Sequence, residues 1–313
     1  MNPCQGPYCE LAQLIDERHS GRQLNLLQRN RALSALSGPN KTNFRGRGID
    51  FEEVRAYQPG DDIRSIDWRV TARTGTAHTK IFREERERPV LVVCDQRNSM
   101  FFGSQHCCKS VLASHCSALL AWAALEQGDR IGGLVFNDHC HSEVRPRRSR
   151  RSVLAYLNLL QDFNRQLPIT ADAGDGQQFT TLLLELRRIV RPGSAIFLVS
   201  DFLGALEKSA LEYLYQLSRH TEITAIQCSD LLEKDLPMSG RYRVTDGQQN
   251  ADLFTGDNRL RRTFRDRFKT HLKQLHGNYG ELGIPVIEIT TAQAPLQRLL
   301  PYYGDSRKRA AVQ

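Results

Sequence analysis

Four apolar runs of this chain end in a carboxylate: Asp95, Asp138, Asp201 and Asp230. Carboxylates grouped in one place repel each other unless a cation joins them, and hard carboxylate and hydroxyl oxygens suit Mg²⁺. Ser99 and Thr180 supply hydroxyls, so Asp95, Ser99, Thr180 and Asp201 form a candidate metal set. Asp138 and Asp230 are read as helix caps or turn formers, common roles for aspartate after a strand. Arg97 intrudes on the set. Arginine offers no acceptor and stays protonated. A unit charge facing a divalent ion at about 4 Å costs roughly 8 kcal/mol at an effective dielectric near 20. Weak Mg²⁺ binding or none is therefore expected. Either Arg97 swings out into solvent, or its guanidinium bridges Asp95 and Asp201 as an internal cation. The second arrangement is preferred, because it neutralises both carboxylates without metal.

Other chemistries find less support. A metal-dependent hydrolase built on Asp95 and Asp201 needs a nucleophile and a general base, and the sequence offers neither. Gly46-Arg47-Gly48 follows no strand, and Phe51 fills the third glycine position of a dinucleotide loop. No Walker motif and no Gly-x-Ser-x-Gly elbow occurs. His139-Cys140-His141 and His106-Cys107-Cys108 are rich in ligand types, but adjacent strand residues point to opposite faces and do not share one ion.

The elements that position these residues follow from periodicity. Val90 to Asp95, Arg130 to Phe136, Ala195 to Asp201, Glu222 to Asp230 and Pro285 to Ile289 read as short strands, several of them continuous apolar runs buried on both faces. Glu143 and Val144 suggest an edge strand, and Tyr242 to Val244 opens a hairpin. Helices are expected over Ser104 to Gln127, from a cap at Ser152, over Thr180 to Val190, over Leu206 to Arg219, and along a basic stretch in which Leu260, Phe264, Phe268, Leu272 and Leu275 share a face. Strands alternating with helices predict an α/β fold with a doubly wound, mostly parallel sheet. The stretch 170–178 reads as an exposed link. Residues 1–88 are poor in apolar runs and are expected to pack as an N-terminal extension on a domain spanning 89–303, with 304–313 a basic tail.

Neither a signal peptide nor an apolar run long enough to span a bilayer is evident, so a cytoplasmic location is expected. In that reducing compartment the eight cysteines are read as small hydrophobes rather than a disulfide framework. The net charge of +8 is partly local, in Arg145 to Arg151 and Arg307 to Arg309. A nucleic-acid role through these segments, or through the helix from Arg259 to Lys273, is the weaker alternative because exposed aromatics do not interleave with the basic residues.

A long string then narrows the reading: Tyr57-Gln58-Pro59-Gly60-Asp61-Asp62-Ile63-Arg64-Ser65-Ile66-Asp67-Trp68, followed by Thr71 to Thr74 with Arg73 among them. Together with Asp95, Ser99-Met100, Gly103, Lys109, Gly128-Asp129-Arg130, Ser200-Asp201 and Leu236-Pro237, it resembles a bacterial family labelled a domain of unknown function. Members of that family carry a von Willebrand factor A-like domain and are often encoded beside MoxR-type AAA+ ATPases. The resemblance implies a strand order of 3-2-1-4-5-6 and a metal-ion-dependent adhesion site at Asp95, Ser99, Thr180 and Asp201. The site is degenerate here, because Arg97 stands where the motif has its first serine and Thr181 where an acidic residue often follows. The signature residues Tyr57, Pro59, Gly60, Asp61, Asp62, Arg64, Asp67, Trp68 and Arg73 are read as structural, with Asp61 or Asp62 capping a helix and an ion-pair network fixing the segment. The expectation is a non-enzymatic interaction module. Asp95, Arg97 and Asp201 would meet an acidic side chain of a partner, in a MoxR-type ATPase complex that remodels an unidentified client.

Overall fold

A computed structural model describes residues 3–26, 50–58, 65–83, 88–167, 178–245 and 250–304. Pro59, Gly60, Asp61, Asp62 and Arg64, the link 170–177 and the tail from 305 onward lie outside the described residues. The chain divides into two compact units, Met1–Phe44 together with Pro89–Gln313, and Arg45–Arg88. The extension expected over 1–88 is thus divided, and its first helix belongs with the sheet.

The larger unit opens with α1 (Leu11–Gly21). Its sheet contains β3 (Pro89–Asp95), β4 (Arg130–Phe136), β5 (His141–Arg147), β6 (Ala195–Ser200), β7 (Glu222–Ser229) and β10 (Val286–Thr290), in the order β10-β7-β6-β3-β4-β5. Counted by their entry into the sheet, these strands run 3-2-1-4-5-6. All pairs are parallel except β4–β5. Chain order reverses between β3 and β6, whose pairing sets Cys94 beside Val199.

Alternation along β3 divides the core. Val90, Val92 and Cys94 join α1, α3 (Lys109–Glu126), α4 (Arg150–Gln166) and α9 (Pro295–Tyr303) on one face. Leu91 and Val93 face α5 (Gln178–Ile189), α6 (Lys208–Ser218) and part of α8 (Asn258–Glu281) on the other. A strand buried on both faces has no polar side to offer, which is why it reads as a continuous apolar run. Lys109 to Ala124 of α3 are all buried, so this helix lies between the sheet and an outer layer. Part of that layer is α1: Trp122 Nε1 donates to the Leu14 carbonyl at 3.0 Å, and Gln127 Nε2 donates to the Leu24 carbonyl at 2.9 Å. All eight cysteines are free thiols.

Several boundaries differ from expectation for local reasons. The first turns of α3 begin at Lys109, five residues later than predicted, because the chain doubles back at Gly103; a Cβ there would collide with the Cys107 carbonyl. Ser149, not Ser152, caps α4, accepting from the Ser152 N–H at 3.1 Å. On α8 only Leu275 and Tyr279 are buried, while Leu260, Phe264, Phe268 and Leu272 are half-buried. Between β7 and α8 lie the short α7 (Leu231–Lys234) and the predicted hairpin, β8 (Arg241–Thr245) with β9 (Asn250–Phe254). Among the described residues, no helix is long and apolar enough to cross a membrane.

In the smaller unit β1 (Asp50–Ala56) pairs antiparallel with β2 (His78–Arg83) around α2 (Trp68–Thr74). Asp67 caps α2 through the Arg69 and Val70 N–H groups, while Asp61 and Asp62, expected as caps, lie outside the described residues. Gly75, at φ +74°, ends the helix as a left-handed cap. Trp68 is 68% exposed and Arg73 is exposed, so neither side chain serves as core.

Candidate functional site

The carboxyl ends of β3 and β6 meet where strand order reverses, the usual ligand position in open α/β sheets. Asp95 is the last residue of β3 and is fully buried. Its Oδ1 accepts from its neighbour's backbone, the Arg97 N–H, at 2.9 Å and from Arg97 Nε at 3.0 Å. Its Oδ2 accepts from Arg97 Nη2 at 2.7 Å and from the Ser200 hydroxyl at 2.6 Å. Arg97 Nη2 also lies 3.4 Å from Asp201 Oδ1, and Nη1 donates to the Leu203 carbonyl at 3.1 Å. The guanidinium carbon stands 5.5 Å from the Phe136 ring centre and 5.8 Å from that of Phe179. Arg97 is thus 3% exposed, stacked on aromatic rings and held by two carboxylates.

The network continues outward. Lys109 Nζ, from the first turn of α3, lies 3.2 Å from Asp201 Oδ2 and 2.6 Å from Glu233 Oε1. The other Glu233 oxygen accepts from the Asp230 N–H at 2.9 Å, completing a capping box on α7. Burial pushes the Asp95 carboxyl above its ordinary value, against the pull of Arg97 and Ser200. Burial also works to raise Asp201, but Lys109 and Arg97 outweigh it and hold that carboxyl at about 2. Lys109 and Arg97 are both held above their ordinary values by these carboxylates, in spite of burial.

The fold brings Asp95, Arg97 and Asp201 together as the bridging alternative required. The Ser99 hydroxyl is buried and has no hydrogen-bond partner among the described residues. Thr180 follows Phe179, which stacks on Arg97, but its hydroxyl has no hydrogen-bond partner among the described residues. Asp230 and Asp138 act as fasteners: Asp230 accepts from the Leu232 and Ser104 N–H groups and the Thr291 hydroxyl, and Asp138 from the Asn98 N–H at 2.7 Å. The residue types alone assign no role to Lys109, Glu233 or Ser200, although Lys109 and Ser200 are among the residues that carry the family resemblance. One signal existed for Lys109, a single lysine opening an otherwise apolar helix. Among the described residues, no group of three histidine, cysteine or acidic side chains converges as a metal centre, the two His-Cys clusters included.

One turn beside the network is strained. Phe202 adopts φ +60°, a left-handed conformation that costs a non-glycine residue about 1 kcal/mol. Its buried ring packs edge-on against Phe179 and Tyr279, with centroids 5.9 and 5.6 Å away. The turn sends the next side chain, Leu203, outward to 59% exposure, while the Leu203 N–H donates to Asp201 Oδ1 at 3.0 Å.

Fold and site together define an α/β protein with a buried ion network at the switch point of a six-stranded, mostly parallel sheet. The chain belongs to the family described as protein of unknown function DUF58, which matches residues 53–274. It is 27% identical over 292 residues to the uncharacterized proteins Mb1516 of Mycobacterium bovis and Rv1480 of Mycobacterium tuberculosis, covering 93% of this chain and 90% of each relative. Among solved structures, an aerotolerance-related membrane protein from Bacteroides fragilis is similar with a TM-score of 0.41 and 14% identity, over 69% of this chain and 98% of that one. The conserved hypothetical protein BatB from Bacteroides thetaiotaomicron is similar with a TM-score of 0.35 and 12% identity, over 62% and 98%.

Proposed function

We propose that this chain is a non-catalytic, cytoplasmic interaction module of the von Willebrand factor A-like type, an adaptor for a MoxR-type AAA+ ATPase that remodels a client protein. The observation that carries this reading is the Arg97 bridge between Asp95 and Asp201. A hydrolase would need one of these carboxylates free to act as a base or to hold a metal-bound water. Here both Asp95 oxygens already accept from Arg97, and Asp201 is shared between Arg97 and Lys109. With Arg97 in this position the set Asp95, Ser99, Thr180 and Asp201 does not fit Mg²⁺, because a guanidinium fills the place between the two carboxylates. The degenerate adhesion site is read as holding its own cation, so that the surface above it is preformed without metal. The ATPase as partner rests on the family resemblance. Its test is size-exclusion chromatography of the purified chain with a MoxR-type ATPase of the same organism, with and without ATP. Co-elution in either condition supports the adaptor reading, and separate elution in both removes it.

A further inference from the structure

We propose that this chain binds single-stranded nucleic acid on a basic face formed by the β8–β9 hairpin and the first three turns of α8, apart from the Arg97 network and independently of the adaptor reading. The positive charge of the chain is concentrated there. Arg241 to Lys273 hold nine basic residues against four acidic, a surplus of five in a chain whose net charge is +8. Asn258, Arg261, Arg262, Arg265, Asp266 and Lys269 line one cleft of about 440 Å³, as their spacing of three and four residues along a helix requires. Two of these arginines are spent on the fold. Arg261 Nη1 donates to the Pro237 carbonyl at 2.6 Å, and Arg261 and Arg265 both lie against Asp235. Arg259, Arg262, Arg267, Lys269 and Lys273 are exposed and make no ion pair among the described residues. Against Arg262 and Lys269 the cleft itself sets a single carboxylate, Asp266. A surplus of exposed, unpaired cations on one element is the footprint of a polyanion.

A basic run without exposed rings is a weak nucleic-acid signal, and α8 alone has none: Phe264 and Phe268 are half-buried and Tyr279 is buried. The hairpin supplies the ring. Arg241 pairs directly with Phe254 across the two strands, and Arg243 with Asp252, so these four side chains share one face of the ribbon. The Arg241 guanidinium carbon stands 5.5 Å from the centre of the Phe254 ring, which is 59% exposed. Asp252 reaches both arginines, which leaves that face with one net positive charge. Ring and cleft lie close together. Asp257 caps α8 three residues after Phe254, and the four steps from Phe254 to Asn258 hold their Cα atoms within about 14 Å. Arg261 fastens the first turn of the helix to Pro237, just before the hairpin. A base of any identity stacks on an exposed aromatic face, while backbone phosphates pair with free lysine and arginine. That combination suits a single strand. A duplex keeps its bases stacked on each other, and an acidic protein segment has no use for the ring.

The test is fluorescence anisotropy of the full chain with a labelled oligothymidylate of about 20 nucleotides, titrated at salt concentrations from about 50 to 200 mM. The variants are Phe254→Ala, Phe254→Trp and the double change Arg262→Gln with Lys269→Gln. All three side chains are exposed, so unchanged melting checks that the fold survives. Phe254→Ala is expected to raise Kd about tenfold and Phe254→Trp less than threefold, since tryptophan keeps the stacking face. The double change is expected to lower the slope of log K against log salt by about 1 to 2. A duplex of the same length is expected to bind more weakly than the single strand. Absence of binding by the native chain at the lowest salt, or native-like binding by Phe254→Ala, overturns the proposal. Polyglutamate of the same charge binding as tightly assigns the face to an acidic protein and overturns it too. None of these results bears on association with the ATPase, so the two readings fail separately.

Discussion

Arg97 grips Asp95 side-on, with Nε 3.0 Å from one carboxylate oxygen and Nη2 2.7 Å from the other. Two residues on one strand end thus form a bidentate pair with no intervening solvent, the strongest geometry open to these side chains. A buried pair is weak evidence of net stability, but removing one partner leaves a costly uncompensated charge. That asymmetry makes the site testable.

Arg97→Ser removes the internal cation and restores a hydroxyl two residues after Asp95. In metal-free buffer the variant is expected to lose about 3–5 kcal/mol of stability, the usual cost of orphaning a buried charge. Calorimetric titration with Mg²⁺ and Mn²⁺ is expected to give little heat for the native protein and clear binding for Arg97→Ser, with a matching rise in Tm. Tight binding by the native protein, unchanged in the variant, would refute the replacement of metal by arginine.

The Asp201 carboxyl is held at about 2, below its ordinary value, by Lys109 and Arg97 working against burial. A depressed carboxyl contributes stability that is fully present above the unfolded value near 4 and is lost as pH falls through the folded value. The window is therefore about pH 4 to 2, and the contribution about 2 kcal/mol. Urea denaturation at steps across this window is expected to show a shallower loss for Asp201→Asn than for the native protein. Parallel pH profiles would show that Asp201 is not held down.

Gly103 is the point at which the loop after β3 doubles back to start α3. A Cβ added there meets the Cys107 backbone, which cannot move aside as a flexible side chain could. Gly103→Ala is expected to cost about 1–3 kcal/mol and to disturb Lys109, so hydrogen exchange should rise in the first turn of α3. Native exchange rates there would mean that the loop relaxes at no cost to the network.

A chain beginning at Glu87 lacks α1 and leaves Trp122 without its Leu14 acceptor and the buried face of α3 uncovered. It is expected to be insoluble or to melt at least about 4 °C lower, since 2 kcal/mol or more is lost and a domain of this size shifts by about 2–4 °C per kcal/mol. A second chain that keeps residues 1–44 and replaces only 45–88 with a flexible linker is expected to fold, because Arg45–Arg88 forms its own unit. Circular dichroism melting of the two chains decides, and equal melting would overturn the assignment.

Much of the sheet was legible in the sequence, because a strand buried on both faces must be apolar along its length and strand ends are marked by the first residues that need a polar partner. Val90 to Cys94 and Ala195 to Val199 met that condition, and Asp95 and Asp201 followed from it. Arg97 stood out because the motif that the segment resembles has a serine there, and arginine offers no acceptor to a metal. Local signals were less decisive where alternatives are nearly degenerate: Ser149 and Ser152 are equally good caps by composition, and the fold makes Ser149 the extended cap residue. Tertiary structure alone decided the partners. Lys109 meets Asp201 across 92 positions and Glu233 across 124, distances over which composition and periodicity carry no information. It also decided which faces stay open: the turn at Phe202 turns Leu203 into solvent, and α1 closes over α3 while Trp68 remains exposed. Sequence determines what each segment must bury, whereas convergence of side chains depends on strand order and twist, which belong to the whole sheet.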